Sequence, residues 1–225
     1  MNKSMYKKIE KYMLKCMKDS AHDSEHIYRV LYLSLNIASK ISEKINFDIL
    51  IASCLLHDIG RKEQYKNQNA CHAEIGGKMA KKFLLNKGWS KKDSDHVKNC
   101  ILTHRFRGKN TPKTLEAKIL FDSDKLDATG CLGIARTLMY KGIVDSNLYE
   151  TKKDKICLGE NKNDKETFLK ENNFKLKNLY DNFYTKEAAE IAKKQKECAQ
   201  LFYYNLVNQI KEIYESKEII NEYLF

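Results

Sequence analysis

The stretch Leu55-Leu56-His57-Asp58-Ile59-Gly60 decides the fold, because a polar pair stands there at the end of an apolar run. Residues 49–56 are almost all apolar, which predicts a buried helix. Gly60 suits the position after a helix end, where a left-handed backbone carries no Cβ penalty. We therefore expect His57 and Asp58 at the edge of the core. Burying them is costly unless they pair with each other or with a divalent metal ion.

The composition favours a mostly helical protein with a real core. The chain has 225 residues, of which 42% are apolar, and only one proline and nine glycines interrupt it. No apolar run reaches the roughly 18 residues of a membrane span, and the first residues lack the apolar core of a signal peptide. The sequence therefore predicts an all-α, cytoplasmic protein that does not bind membranes.

The cysteines give little sign of a cross-linked or zinc-binding protein. There are seven, an odd number, and no two of them form a C-x-x-C pair. This pattern is poor for a disulfide framework or a zinc finger, so most of the cysteines are expected to behave as small core residues.

The positive charge is concentrated in about a quarter of the chain. The net charge is +11, and residues 61–113 contain 14 Lys or Arg against four Asp or Glu. Such a region attracts anions, whether a phosphorylated small molecule or nucleic acid. A solvated, lysine-rich surface is the alternative interpretation.

Apolar residues at helical spacing predict a series of helices. These are expected over residues 6–17, from 23 or 24, over 49–56, from 72, from 90, over 115–126, over 130–140 and over 186–214. Residues 62–69 look like a polar loop, and Thr111-Pro112 like a helix start with proline in its first turn. Gly76 and Gly77 inside a helix indicate close packing or room for a ligand. Residues 145–177 are highly charged and are expected to be a mobile insertion with little core.

Several further polar residues lie on apolar helical faces. His26 and His104 each share a face with buried positions, and His72 opens a helix. Asp124 and Asp127 share a face of the 115–126 helix and its end, whereas Asp122 lies on another. Taken singly, these residues could be satisfied core histidines and a solvated acidic patch.

Taken in order, these residues resemble the H…HD…D pattern of the HD superfamily of metal-dependent phosphohydrolases. The matching blocks are His26-Ile27-Tyr28-Arg29-Val30, Leu56-His57-Asp58-Ile59-Gly60, Asp122-Ser123-Asp124-Lys125-Leu126-Asp127-Ala128 and Gly130-Cys131-Leu132-Gly133-Ile134-Ala135-Arg136. The resemblance covers about residues 20–140. It implies an HD-domain helical bundle with a C-terminal helical extension, in a single domain over residues 1–225.

The resemblance also implies a set of metal ligands. These are His26, His57, Asp58 and Asp124, with Asp122 as the competing choice for the last position. Two imidazoles and two carboxylates suit Mn, Fe, Co, Ni or Mg. His72 and His104 resemble the extra histidines of members that bind two metals. We expect one tightly held ion with these two histidines close to it. Whether a second ion binds, bridged to the first by Asp58, stays open.

The expected function is hydrolysis of a small phosphorylated molecule, and a nucleotide is the leading substrate. His57 and Asp58 are assigned to catalysis. The basic residues expected to bind phosphate are Arg61, Lys62, Arg105 and Arg107. The alternatives are a cyclic-nucleotide or alarmone hydrolase with a binuclear site, a di-iron oxygenase, and a non-catalytic module that binds nucleotides or nucleic acid. His22 and His96 lie outside every motif.

Overall fold

A computed structural model of the chain describes residues 1–17, 24–67, 69–105, 110–152 and 155–224. These residues are predominantly helical, which confirms the all-α prediction. The helices are α1 (Lys3–Met17), α2 (Ser24–Ala38), α3 (Phe47–Leu56), α4 (Arg61–Lys66), α5 (His72–Leu85), α6 (Lys91–Thr103), α7 (Leu115–Leu126), α8 (Gly130–Ile143), α9 (Phe168–Phe174), α10 (Lys186–Glu215) and α11 (Ile219–Leu224). Strands β1 (Glu150–Lys152) and β2 (Lys155–Cys157) pair antiparallel, with Glu150 opposite Cys157.

The chain divides into two compact units. Unit 1 comprises Met1–Asp127 and Phe183–Ala188, and unit 2 comprises Ala128–Asn182 and Ala189–Phe225. The expectation of one domain over the whole chain stays a prediction. Within the described residues, no helix is both long enough and apolar enough to traverse a lipid bilayer.

Helix α3 lies at the centre of unit 1. It is apolar on every side, and it contacts α1, α2, α5, α6 and α7. The Asn46 side chain caps its first turn by accepting hydrogen bonds from the backbone N–H groups of Asp48 and Ile49. Leu50 and Leu55 are fully buried. The residues that follow α3 therefore emerge inside the packed core.

Gly60 allows close backbone packing and does not form the left-handed helix end that the sequence predicts. Its φ of −87° is right-handed, so the expectation of a left-handed helix end is wrong. A Cβ at Gly60 would lie 2.3 Å from the His72 carbonyl oxygen and 2.7 Å from the Gly76 backbone nitrogen. The absence of a side chain therefore lets α5 approach the turn that carries His57 and Asp58. This contact confirms that Gly76 serves close packing.

Three local boundaries test the other sequence predictions. Helix α6 follows Ser90, whose Oγ accepts a hydrogen bond from the Asp93 backbone N–H, as expected. Residues 61–66 form α4 and not a polar loop. Helix α7 begins after Thr114 and not at Pro112, because the Thr114 hydroxyl caps it by accepting from the Ala117 N–H.

Unit 2 contains a core where the sequence predicts little. Phe168 and Leu169 are fully buried, and they pack in one cluster with Ile134, Leu176 and Ala199. The expectation of little core in residues 145–177 therefore does not hold, since a few well-spaced apolar side chains suffice among many charges. Unit 2 also contains a disulfide between Cys131 and Cys198, which the odd cysteine count did not predict.

We predict that Gly60→Ala destabilises unit 1 by about 1–3 kcal/mol, because the methyl group must displace backbone atoms of α5. Urea unfolding followed by the fluorescence of Trp89, the only tryptophan, measures this in the presence of a chelator. Gly142→Ala is the control, since a Cβ there meets nothing within 4 Å. Equal stability of Gly60→Ala and the wild type would contradict the packing argument.

Candidate metal centre

Six polar side chains from different helices converge in unit 1, and all six are residues that the sequence singled out. They are His26 on α2, His57 and Asp58 after α3, His72 at the start of α5, His104 after α6 and Asp124 near the end of α7. His57 and Asp58 are fully buried. The Asp124 side chain, at 22% exposure, is the most accessible of the group. The six residues form two clusters that share Asp58.

The first cluster gathers around the Nε2 atom of His26. This atom lies 3.3 Å from His57 Nε2, 3.3 Å from Asp124 Oδ1 and 3.8 Å from Asp58 Oδ2. His57 Nε2 lies 3.8 Å from the same Asp58 oxygen and 3.9 Å from Asp124 Oδ1. One atom from each of His26, His57 and Asp58 therefore falls within a sphere that a single cation can occupy.

The second cluster uses the other oxygen of Asp58. His72 Nε2 lies 3.3 Å from His104 Nε2 and 3.3 Å from Asp58 Oδ1. His104 Nε2 lies 3.6 Å from Asp58 Oδ1. The three atoms again lie close enough for one cation. Asp58 thus offers one carboxylate oxygen to each cluster.

Two of the histidines are oriented by backbone carbonyl groups. His57 Nδ1 lies 2.7 Å from the Cys54 carbonyl oxygen, and His104 Nδ1 lies 2.5 Å from the Ile101 carbonyl oxygen. A carbonyl group can only accept, so Nδ1 must carry the proton in both rings. The Nε2 atom of each ring is therefore the one that faces Asp58.

The other two histidines are oriented by side chains that sequence reasoning did not assign. His72 Nδ1 lies 2.7 Å from Gln64 Oε1, and His26 Nδ1 lies 2.7 Å from Asp127 Oδ2. Asp127 is itself held by Arg29, whose Nε donates to Oδ1 over 2.6 Å. Partners of this kind fix the ring and raise its basicity as a metal ligand. The sequence signal that could have identified Asp127 is the helical face that it shares with Asp124.

Asp58 provides the test of whether a cation fits. Both of its oxygens are buried without a hydrogen bond from the described residues, although Arg61 Nε lies 2.9 Å from Oδ1 as an ion pair. Burial alone would raise the pKa of Asp58, but the neighbouring His57, His104 and Arg61 hold it well below its usual value. The carboxylate is therefore ionised, and it faces the Nε2 atoms of the imidazole rings. A divalent cation between them satisfies both kinds of group.

The histidines differ in the ease with which they lose a proton. Burial lowers the pKa of His57 to about 4 and that of His72 to about 3, so both rings are neutral at pH 7. Burial also opposes a charge on His26, but hydrogen bonds to Asp124 and Asp127 outweigh it and raise its pKa to about 9. In the metal-free chain, the proton on His26 compensates part of the negative charge.

Asp122 and Asp124 have separate surroundings. Asp122 accepts hydrogen bonds from the backbone N–H groups of Tyr184 and Thr185, over 3.0 and 2.7 Å, and from the Thr185 hydroxyl over 2.7 Å. It thereby anchors the segment before α10. The geometry brings Asp124, and not Asp122, to the histidine cluster.

Only some of the basic residues that the sequence predicts to bind phosphate lie near the two clusters. Arg61 pairs with Asp58, and Arg105 Nη1 lies 3.5 Å from the Sγ atom of Cys71, next to His72. The charge of Lys62 acts on the Cys16 thiol of α1. Arg107 and His22 lie outside the described residues. His96 is not in either cluster; its Nε2 lies 3.0 Å from the Thr114 hydroxyl.

Comparison with known proteins agrees with this arrangement. Residues 23–129 match the model of the HD domain family. A stretch of 66 residues is 39% identical to YpgQ from Bacillus subtilis (strain 168); it covers 28% of this chain and spans about a third (32%) of that relative's length.

Solved structures resemble the chain over nearly its whole length. The Lin1889 protein from Listeria innocua superimposes with a TM-score of 0.68 at 26% identity, covering 94% of this chain and 98% of that one. A predicted HD superfamily hydrolase from an uncultured Thermotogales bacterium gives a TM-score of 0.62 at 25% identity, covering 93% of this chain and 99% of that one. Bacillus subtilis YpgQ in complex with ADP gives 0.69 at 25%, covering 91% and 97%.

We predict that Asp127→Asn weakens metal binding about 10- to 100-fold. The uncharged amide would hold His26 and Arg29 less firmly than the carboxylate does. Competition with a fluorescent chelator measures the affinity. Asp122→Asn is the matched control on the same helix, and its metal affinity should be unchanged. If both variants bound metal like the wild type, Asp127 would have no part in orienting the ligand.

The raised pKa of His26 predicts that metal binding releases a proton. Below about pH 9 the ring carries a proton in the metal-free chain, and that proton must leave before Nε2 can bind an ion. Affinity should therefore rise roughly tenfold per pH unit from pH 7 and level off near pH 9. Calorimetry in two buffers of different ionisation enthalpy measures the proton count. A constant affinity across this range would contradict the assignment of His26.

Proposed function

We propose that the chain is a metal-dependent hydrolase of the HD superfamily, and that it cleaves a phosphoester or phosphoanhydride bond of a small phosphorylated molecule, a nucleotide in the first place. The observation that carries the proposal is Asp58. This buried, ionised carboxylate has no hydrogen bond from the described residues and faces two pairs of imidazole groups. Such a set of nitrogen and oxygen donors is suited to hold divalent cations.

The proposed ligands of the first ion are His26, His57, Asp58 and Asp124. The mixture of nitrogen and oxygen donors suits Mn, Fe, Co, Ni or Mg. The sequence favours a single ion. The second cluster, formed by Asp58, His72 and His104, is a specific reason to propose a position for a second one.

A bound divalent ion would lower the pKa of a coordinated water and polarise a phosphoryl oxygen. The residues of the chain supply the remaining needs. Asp124 is the most exposed carboxylate of the group, and although burial opposes its ionisation, the hydrogen bond to His26 holds its pKa well below the usual value, so it stays ionised as a ligand. Asp58 and His57 are buried, and they keep the ligand set rigid and dry.

Arg61 and Arg105 are proposed to bind the phosphate groups. Arg61 lies beside Asp58, and the positive charge of Arg105 acts on His72, so both charges lie at the second cluster. A guanidinium group matches a phosphate with two parallel hydrogen bonds. The ADP complex of the similar YpgQ structure supports a nucleotide as the substrate. Lys62 and Arg107 remain predictions from the sequence.

A second candidate function follows from the second cluster. A site with two ions can stabilise both the attacking and the leaving oxygen of a phosphodiester. The separate pair of His72 and His104 therefore favours a cyclic-nucleotide or alarmone hydrolase as the alternative substrate class. A non-catalytic nucleotide-binding module would leave the metal ligands without a purpose.

We predict that the purified chain with Mn²⁺ releases phosphate or pyrophosphate from at least one member of a panel of mono-, di- and triphosphates and cyclic nucleotides. His57→Ala and Asp58→Asn should abolish both bound metal and turnover, whereas His96→Ala, as the control outside the clusters, should change neither. Metal analysis and phosphate assays measure the two properties. Turnover that survives the loss of metal would contradict the proposed chemistry.

Titration of metal into the chelated chain distinguishes one ion from two. If two ions bind, His72→Ala and His104→Ala should each lose one of them and keep the other. If only one ion binds, both variants should retain it, and the substrate class with a single ion is favoured. The loss of all metal in His72→Ala would mean that the two clusters do not act separately.

A further inference from the structure

Unit 2 contains a cavity that shares no residue with the metal centre. Its volume is about 200 Å³, and it lies among α8, α9 and α10. Ile134, Leu176 and Ala199 form its apolar wall, and all three are buried. This volume is below the roughly 300–1,000 Å³ of pockets for drug-sized ligands. The cavity therefore has the size of one flat ring system.

Two tyrosines that line the cavity are fixed by hydrogen bonds. The Tyr180 hydroxyl accepts from the Gly130 backbone N–H over 3.0 Å, and the Tyr203 hydroxyl accepts from Asn173 Nδ2 over 3.0 Å. Burial raises the pKa of both phenols, so they stay protonated and neutral. The walls are thus preformed, and they offer aromatic surface to a planar ligand.

Asn172 supplies the observation that points to a ligand. Asn172 is only 8% exposed and lines the cavity. Its side-chain amide forms no hydrogen bond with the residues that the structure describes. The neighbouring Asn173 is fully engaged by comparison, since its amide donates to both Leu158 and Tyr203. An amide that lines the cavity and makes no hydrogen bond to the described residues can pair with a ligand that offers both a donor and an acceptor.

The rim of the cavity is positively charged. Lys177 and Lys196 line it, and neither forms an ion pair among the residues that the structure describes. Lys177 is exposed, whereas Lys196 is half-buried. An anionic group at the mouth would meet two uncompensated ammonium groups.

We propose that this cavity binds a nucleoside monophosphate, with the heterocyclic base inside and the phosphate at the rim. The base stacks against the tyrosine walls, and its polar edge pairs with the Asn172 amide. The phosphate pairs with Lys177 and Lys196. The inference is independent of the metal chemistry, because no ligand of the metal centre takes part.

The test uses the full chain in excess chelator, so that a phosphate cannot be held through a metal ion. AMP, GMP and UMP are titrated by calorimetry, with adenosine and inorganic phosphate as partial ligands. We expect one site per chain for at least one nucleotide, and weaker binding of adenosine and of phosphate alone. The double variant Lys177→Gln, Lys196→Gln should weaken the nucleotide about tenfold or more. The exposed pair Lys193→Gln, Lys194→Gln on the same helix is the control and should bind normally.

Asn172→Leu should weaken AMP and adenosine alike, because it removes the amide and keeps the volume. Asn172→Asp serves as the second variant if Asn172→Leu does not fold, and it should also weaken the nucleotide by repulsion. The proposal is overturned if no nucleotide binds, or if phosphate alone binds as well as AMP. It is equally overturned if the lysine variant binds normally, or if His57→Ala abolishes binding, since the nucleotide would then lie at the metal centre.

Discussion

The buried negative charge of Asp58 is the constraint on which the centre of unit 1 depends. Its carboxylate is fully excluded from water, and the described residues offer it no hydrogen bond. Removing an ionised carboxylate from water costs several kcal/mol unless another charge compensates it. All four surrounding histidines direct Nδ1 to an oxygen acceptor, so the Nε2 atom of each ring is the one that faces the carboxylates. In the metal-free chain Arg61 and the proton on His26 oppose this charge, and a divalent cation held by Asp58 and the neutral rings would take the place of that proton.

The packing of unit 1 holds the buried Asp58 carboxylate in place. Helix α3 is apolar on all sides and contacts five other helices, so the turn after it cannot move towards water. The approach of α5 to that turn depends on Gly60 and Gly76, where backbones meet without side chains between them. A glycine inside a helix weakens it by about 1 kcal/mol relative to alanine. The chain accepts that cost at Gly76, and it thereby brings His72 within reach of Asp58.

Sequence reasoning reached most of this centre, because its residues are marked by local patterns. A histidine or an aspartate on an apolar face is visible in the sequence, and so is the order in which these residues occur. The partners were harder to find. Asp122 and Asp124 are distinguished by the residues that they contact. Asp122 accepts a hydrogen bond from Thr185, which is more than sixty residues away in the sequence. Gln64 lies in a short helix that the polar composition of residues 62–69 concealed.

The same limit explains the errors in unit 2. Periodicity analysis averages over a window, so the charges of residues 145–177 hid the buried pair Phe168 and Leu169. The Cys131–Cys198 pair joins residues 67 positions apart, and nothing in the local sequence of either cysteine indicates the other. Local patterns predict an element and its buried face, whereas contacts between distant segments depend on the fold itself.

The charges around Asp58 also explain how phosphate binding can depend on metal binding. In the metal-free chain, the three carboxylates Asp58, Asp124 and Asp127 are opposed by Arg29, Arg61 and the proton that the raised pKa of His26 retains. These charges balance, so they offer little attraction to an anion. A divalent ion that displaces the His26 proton leaves an excess of positive charge, and a second ion increases it. Arg61 and Arg105 then face a phosphate across a centre that is no longer neutral, so metal binding comes before substrate binding for electrostatic reasons alone.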